Sequence, residues 1–262
     1  MTKKNADSIG KSPQGQRLQS TQPIHGDEVI VPGATVAHVD ERFFREFLDQ
    51  SFGEEEQDLA LPILLENMNL SDGDQLNVAG TLLFAKNPQV LAPAFGVKAV
   101  AFRGTKIEGQ NYRESRDFTG QIDRIFETSM AFLDRHIPQV QNGQPFNSIG
   151  VPLVPKIPLE EVLVNALLHR DYFVSAPIRL LAFDDRVEVI SPGRLPNHLT
   201  IENIRSGNSN IRNPILVSYA TRLLPYRGIG SGIRRAVKAF PSLELINDIE
   251  GNQFIARLPF AL

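Results

Sequence analysis

The sequence predicts an α+β fold: a helix-on-sheet two-layer sandwich over residues 151–262, preceded by a smaller α/β unit over 27–150. Three observations carry this. The stretch Leu159–His169 is apolar nearly all round a helix, which places it in a core rather than on a surface. Two short apolar runs, Pro177–Phe183 and Arg186–Ile190, flank Asp184-Asp185 as a hairpin flanks its turn. Beyond them the order loop, helix, helix, strand puts helices on one face of a mixed sheet.

Taken in order, residues 1–26 are rich in Lys, Ser and Gln and read as a disordered tail. Helices are expected at Glu41–Gln50 and Glu55–Asn67, from apolar residues such as Phe43, Phe44, Phe47 and Leu48 at helical spacing. A short helix follows at Asn77–Ala85, stopped by Asn87-Pro88. Val97–Phe102 reads as a strand, and Thr119–His136 as an amphipathic helix. Pro138–Pro158 holds seven Gly and Pro residues at which no helix continues, so it marks the boundary, with a short strand near Ile149–Val154. The helix at Leu159–His169 opens on Pro158, with Glu160 and Glu161 suiting its N-terminal dipole. After the hairpin a long polar connection runs from Ser191 to Asn213. Helices Pro214–Leu224 and Ile233–Phe240 flank a glycine-rich loop, and a strand, Gln253–Leu258, closes the chain.

Composition narrows the function. There is no cysteine, which removes disulfides, thiol catalysis and thiolate metal sites and fits a cytoplasmic protein. No run is long or apolar enough to cross a bilayer, and no secretory h-region opens the chain. The net charge is -3, unevenly spread. Residues 1–155 carry 14 Lys and Arg against 20 Asp and Glu, and residues 156–262 carry 13 against 10. An acidic chain is ill suited to duplex DNA, whereas a mildly basic second half suits a smaller polyanion.

Two constellations carry chemistry. Glu161, Asn165 and His169 are four residues apart and form one polar stripe on an otherwise apolar helix. Such a stripe needs partners, either protein groups or a ligand and a metal. A carboxylate beside a neutral amide suits a water-activating base next to an oxygen ligand for Mg²⁺. The second is Gly228-Ile-Gly230-Ser231-Gly232, ahead of a helix containing Arg234 and Arg235. It lets backbone N–H groups approach a phosphate at a helix N-terminus; the plain alternative is a tight turn. Three glycines exceed what a simple turn needs, which favours an anion contact. There is no Gly-x-x-x-x-Gly-Lys loop, and His169-Arg170-Asp171 lacks the order of motifs a kinase requires. His25, His38, His136 and His198 show no metal-ligand spacing and read as surface residues.

Together these stretches resemble a known family. Glu161-Val-Leu-Val-Asn165-Ala-Leu-Leu-His169-Arg-Asp171-Tyr172, Asp185-Arg186-Val-Glu188-Val-Ile-Ser191-Pro-Gly193-Arg-Leu-Pro196, Arg212-Asn213-Pro214 and the glycine loop resemble, in that order, the C-terminal ATPase domain of RecG-like, Schlafen-type transcriptional regulators. That domain is a divergent relative of the histidine-kinase, gyrase and heat-shock-chaperone (GHKL) ATPases. The resemblance implies Glu161 as catalytic base and Asn165 as Mg²⁺ ligand. It implies His169, Asp171, Ser191, Gly193, Arg212, Asn213, Gly228, Gly230, Ser231 and Gly232 as further nucleotide-binding positions, with a lid after Ser191. Upstream, Leu76–Pro88 and Val97–Thr105 resemble the region after the AlbA-like domain of the same proteins, so 27–150 is expected to be a remnant of it. Two departures weaken hydrolysis: Leu168 stands where the wider superfamily has an Asp, and Ser191 where it has the adenine-reading Asp. Most of the AlbA-like domain and a winged helix are not recognisable, and no helicase motor motif is present.

The expected function is an ATP-binding regulatory module using ATP and Mg²⁺, with slow hydrolysis left open. A degenerate, nucleotide-free interaction or dimerisation module is the alternative, with a protein partner or homodimer open, and a DNA-binding protein comes third. The charge balance generates a first prediction: at physiological salt the chain shows little affinity for duplex DNA in a gel-shift assay. Tight binding that weakens steeply with added salt would promote the third reading.

Overall fold

The computed structural model describes residues 25–261 apart from 53–58, 108–110, 142, 144–146, 148–149, 197–198 and 229. The expected tail lies outside these residues, save His25 and Gly26, and so does the first part of the helix expected at Glu55–Asn67.

The first half of the chain runs β1 (Ile30–Thr35), α1 (Glu41–Phe52), α2 (Leu61–Asn67), β2 (Ser71–Asp72), β3 (Gln75–Asn77), α3 (Val78–Phe84) and α4 (Pro88–Leu91). It continues through β4 (Val97–Phe102), β5 (Tyr112–Phe118), α5 (Ile122–His136), β6 (Gln139–Val140) and β7 (Val151–Pro152). Then come α6 (Lys156–His169), β8 (Ile178–Ala182), β9 (Arg186–Pro192), α7 (Ile201–Arg205), α8 (Pro214–Leu223), α9 (Gly232–Ala239), β10 (Glu244–Asp248) and β11 (Gln253–Pro259).

The main sheet has six strands in the order β10-β11-β9-β8-β4-β5. Only β4 and β8 pair in parallel, with Val97 opposite Ile178; every other pairing in this sheet is antiparallel. A parallel pair needs a long crossover, here the chain from β5 through α5 to α6. The α+β architecture with helices on one face of a large mixed sheet is as expected. The sheet also crosses the boundary placed between 150 and 151, since β4 and β5 precede it and β8 to β11 follow.

The strands alternate as half-buried strands do. Val97, Ala99 and Ala101 of β4 are buried against the helix layer, while Lys98 points away and is exposed. On the opposite face Phe102, Leu181, Phe183 and Ile190 form a small second cluster, with Phe102 and Phe183 stacked at 5.0 Å. α6 is the central helix: Leu159, Val162, Leu163, Val164, Ala166, Leu167 and Leu168 are all buried. It begins at Lys156, earlier than expected, so Pro158 sits third in the helix; its missing N–H is still one that the first turn leaves unpaired.

Six strands escape the sequence patterns: β1, β2, β3, β5, β6 and β10. β5, Tyr-Arg-Glu-Ser-Arg-Asp-Phe, is polar on both faces because it is the sheet edge. Its inward Glu114 is held from α5: the His136 imidazole meets it at 2.8 Å and Arg135 donates at 3.1 Å. His136 is thus a packed residue hydrogen-bonded to Glu114 rather than a surface one. β10 forms the other edge, and β1 belongs to a small three-stranded sheet with β3 and β2. The connection from Ser191 to Asn213 contains α7, which Thr200 caps through its hydroxyl.

The N-terminal segment is stitched to α8, nearly 190 residues along the chain. Asp27, fully buried, accepts from the N–H groups of Ile215 (2.8 Å) and Leu216 (3.0 Å) at the start of α8, whose own N-cap residue, Asn213, makes no side-chain cap. Burial pushes this carboxyl up and the two backbone donors pull it down. Asp27→Ala is expected to cost about 1–3 kcal/mol, the usual loss for buried hydrogen bonds to a charged group, read from the shift in denaturant midpoint. Asp27→Asn, which keeps an acceptor, should lose less; equal loss in the two variants would argue against the capping role.

Candidate functional site

Along α6, Glu161, Asn165 and His169 form the wall of one cleft. Its floor is the sheet, through Val189 and Ser191 of β9 and Phe254 and Ala256 of β11. The chain from Gly193 to Arg212, including Leu195, Leu199 and Ile204, forms the opposite wall, and Gly228, Gly230, Ser231 and Gly232 close one end. The cleft is open at its mouth, and about 1070 Å³ of free space lies within and in front of it, solvent included. Among the described lining residues the charged side chains are Arg194, Arg212, Arg227 and Arg235 against the single carboxylate of Glu161. A mostly apolar cleft with this excess of guanidinium groups favours a ligand with an apolar body and a polyanionic end.

Glu161 is buried, and its carboxylate forms an ion pair with the Arg235 guanidinium. Burial pushes its carboxyl above the ordinary value, while Arg235 pulls it back. Asn165 donates its amide N–H to the Glu161 carbonyl at 2.6 Å, one helical turn back. That uses one of the two amide N–H donors and leaves Oδ1 as the atom able to accept. At the other end of the stripe, His169 sits at 6.5 Å, ring to ring, from Tyr226. Burial brings its imidazole down to about 4, with Arg212 adding to the effect, so it is neutral at pH 7.

The glycine loop departs from expectation. Gly228 and Gly230 both adopt φ +68°, a conformation that suits glycine, and a Cβ on Gly230 would lie 2.8 Å from the Gly207 carbonyl oxygen. Two of the three glycines therefore serve the backbone, and a valine at 230 would strain the loop as well as any site. Gly232 is different: its φ is ordinary, and a Cβ there would collide with the Glu161 carboxylate. It allows α9 to pack on α6. Of the two arginines behind the loop, Arg235 lines the cleft and Arg234 lies beside Gly207.

Other expected positions divide. Ser191 lines the cleft and directs its hydroxyl at the Ala166 carbonyl, 3.4 Å away. Gly193 and Arg212 line it too, and Arg212 donates to the backbone oxygens of Arg194 (2.7 Å) and His169 (3.4 Å). Asn213 does not line it: fully buried, it donates to the carbonyls of Leu168 (2.8 Å) and Arg170 (2.9 Å) and caps the end of α6. Asp171 also lies outside the lining; its carboxylate accepts from the Phe173 N–H at 3.0 Å and stands 4.0 Å from Arg212. Sequence reasoning missed Arg194, Tyr226, Arg227 and Phe254 as lining residues. Arg227 adjoins the glycine loop and could have been suspected; Phe254 lies far along the chain on β11, paired with β9 opposite Ser191, and left no signal.

Residues 175–248 match the family described as "Putative ATP-dependent DNA helicase recG C-terminal". The match takes in β8 to β10 with the glycine loop, and leaves α6 with Glu161, Asn165 and His169 outside it. No curated protein matches the chain. Among solved structures, the DIP2311 protein from Corynebacterium diphtheriae is similar at 20% identity and a TM-score of 0.65, over 92% of this chain and 49% of that one. The chain thus spans about half the length of that protein, and at this identity the likeness shows the fold alone. The family match supports an ATPase-type domain of the RecG C-terminal kind, and with it adenine-nucleotide binding in general. No helix among the described residues is long and apolar enough to cross a membrane.

The state of His169 yields a prediction. A histidine in an unfolded chain titrates near 6.5, above the folded value of about 4. Between these values the unfolded chain binds more protons, so acidification destabilises the fold. In melting curves from pH 7 down to about 4, wild type should therefore lose stability more steeply than His169→Gln, the two running parallel above pH 7. Parallel curves throughout would show that the imidazole is not held neutral.

Proposed function

We propose that the cleft binds a nucleoside triphosphate, ATP in the first instance, together with Mg²⁺, and that the chain is an ATP-binding regulatory module capable of slow hydrolysis. The observation that carries this is the cleft's asymmetry. The glycine loop, the start of α9 and Arg235 gather at one end, beside Glu161, while Leu195, Leu199, Ile204 and Phe254 line the cleft elsewhere together with Arg194 and Arg212. A helix N-terminus adjoining an arginine favours phosphates, and the apolar walls formed by Leu195, Leu199, Ile204 and Phe254 suit a base.

The residues present fit a magnesium ion carried in with the nucleotide. No group of three or more acidic or His ligands occurs among the described residues, so the chain offers no cage of its own. Asn165 offers one neutral oxygen, and Mg²⁺ characteristically takes few protein ligands and completes its shell with water and phosphate oxygens. When bound, the ion supplies neutralisation of phosphate charge. Glu161 supplies the base: its carboxylate would take a proton from a water whose oxygen attacks the terminal phosphorus, as the bond to the departing diphosphate breaks. Burial favours this by holding the carboxyl above its ordinary value. Leu168 in place of a carboxylate and Ser191 in place of the adenine-reading Asp make that chemistry slow and the base contact weak.

The regulatory role, with the degenerate, nucleotide-free interaction module as its rival, turns on one measurement. With Mg²⁺ and ATP or ADP at about 100 times Kd, stabilisation of roughly 2.7 kcal/mol is expected, seen as a rise of several degrees in melting temperature. Asn165→Ala should remove the Mg²⁺-dependent part, and Glu161→Gln should bind but not hydrolyse. No shift in the wild type at millimolar nucleotide would hand the site to the rival reading.

A further inference from the structure

We propose that Arg235 is a contact for the terminal phosphate and that, until a triphosphate arrives, it shields Glu161 by pairing with it. The inference rests on the nucleotide-binding reading above and adds to it a residue, a partner for that residue and a discrimination between triphosphate and diphosphate.

Three observations carry it. One nitrogen of the Arg235 guanidinium, Nη2, is engaged by Glu161 Oε1, yet Nε of the same group is buried and makes no hydrogen bond. A buried, unpartnered N–H on a cation is costly, and the cost is relieved by an anion seated beside it. Second, the side chain is about one-third exposed and lines the cleft. Third, Arg235 stands on the first turn of α9, directly after the glycine loop, so whatever the N–H groups of that turn attract arrives next to this guanidinium. The neighbouring Arg234 is directed to Gly207 and does not compete.

The pair has a consequence for chemistry. A carboxylate that accepts from a guanidinium is a poorer proton acceptor than one released from it. A phosphate oxygen at the α9 N-terminus offers the guanidinium a doubly hydrogen-bonded partner, and its fork matches a phosphate as well as it does a carboxylate. Drawing Arg235 toward the phosphate uncovers Glu161 as the triphosphate seats. A diphosphate lacking the terminal group leaves the pair in place.

The test is calorimetric titration of the full chain with ATP and with ADP, each with Mg²⁺, for wild type, Arg235→Ala, Arg235→Lys and Glu161→Gln, with melting curves to check folding. Arg235→Ala should weaken ATP by roughly tenfold or more while leaving ADP within about threefold, as expected for one lost charged contact. Arg235→Lys should recover part of the ATP affinity. Glu161→Gln, which frees Arg235 from its competing carboxylate, should tighten ATP relative to ADP, and this holds even if Arg235→Ala fails to fold. ATP and ADP weakening equally, or neither changing, would overturn the role of Arg235 while leaving the nucleotide site standing. Absence of binding of either nucleotide to the wild type would remove both.

Discussion

The structure depends on one helix that has to be buried and yet carries three polar side chains. α6 is apolar on nearly every face, with Leu163, Val164 and Leu168 at 0–1% exposure. Burying such a helix gains the hydrophobic free energy the fold lives on, but each polar group carried inside costs several kcal/mol, on the order of 2–7, if left without a partner. The molecule answers each in a different way. Asn165 bonds back to its own helix, Glu161 is matched by a cation from α9, and His169 sheds its proton. The cleft exists because these answers leave acceptor and donor positions facing open space.

The three residues that end the helix, His169-Arg170-Asp171, show how little adjacency says about role. His169 lines the cleft. Arg170 turns the opposite way into the core, 1% exposed, with its guanidinium 4.8 Å from the Phe95 ring and 4.9 Å from the Tyr172 ring while donating to the carbonyls of Val174 and Ala176. Burial lowers its pKa, and the faces of two rings stand in for a counter-ion. Asp171 secures the turn after the helix. Without that turn, β8 would not re-enter the sheet alongside β4.

Much of this was legible in the sequence, for reasons that can be named. α6 and its stripe were readable because the apolar pattern and the four-residue spacing are local. β8, β9 and their Asp184-Asp185 turn were readable because alternation is local as well. β5 and β10 were not, since an edge strand need not alternate: Glu114 on β5 is compatible with burial only because His136 and Arg135 lie across from it, a contact made far along the chain. The stripe, Ser191, Gly193, Arg212 and the loop all came to one cleft, but Asn213 did not; its motif neighbours Arg212, and only the position of the α6 carbonyls shows that the asparagine faces the helix end instead. Three glycines in the loop point in sequence to close approach of backbone N–H groups to an anion, whereas two of them are required by backbone conformation and the third by the carboxylate of Glu161. Sequence shows that glycine is present, and it takes the neighbour's coordinates to show what a side chain would strike.

The six-stranded extent of the sheet explains why the cleft can remain open. α6 has two flanks. On one, α5 packs against it and also covers β4, β5 and β8, so the strands contributed from before residue 150 give that flank a continuous apolar cover. On the other, α9 touches α6 and α7 touches α9, but the floor beneath, β9 and β11, is left to the cleft through Val189, Phe254 and Ala256. Were β4, β5 and α5 absent, α6 would expose its second flank, and the cheapest repair would be collapse of α9 and the 193–212 segment onto the strands that now line the opening. Extending the sheet on the α5 side is therefore what lets the opposite side stay hollow. The Glu161–Arg235 pair joins α6 to α9 at the end of that hollow.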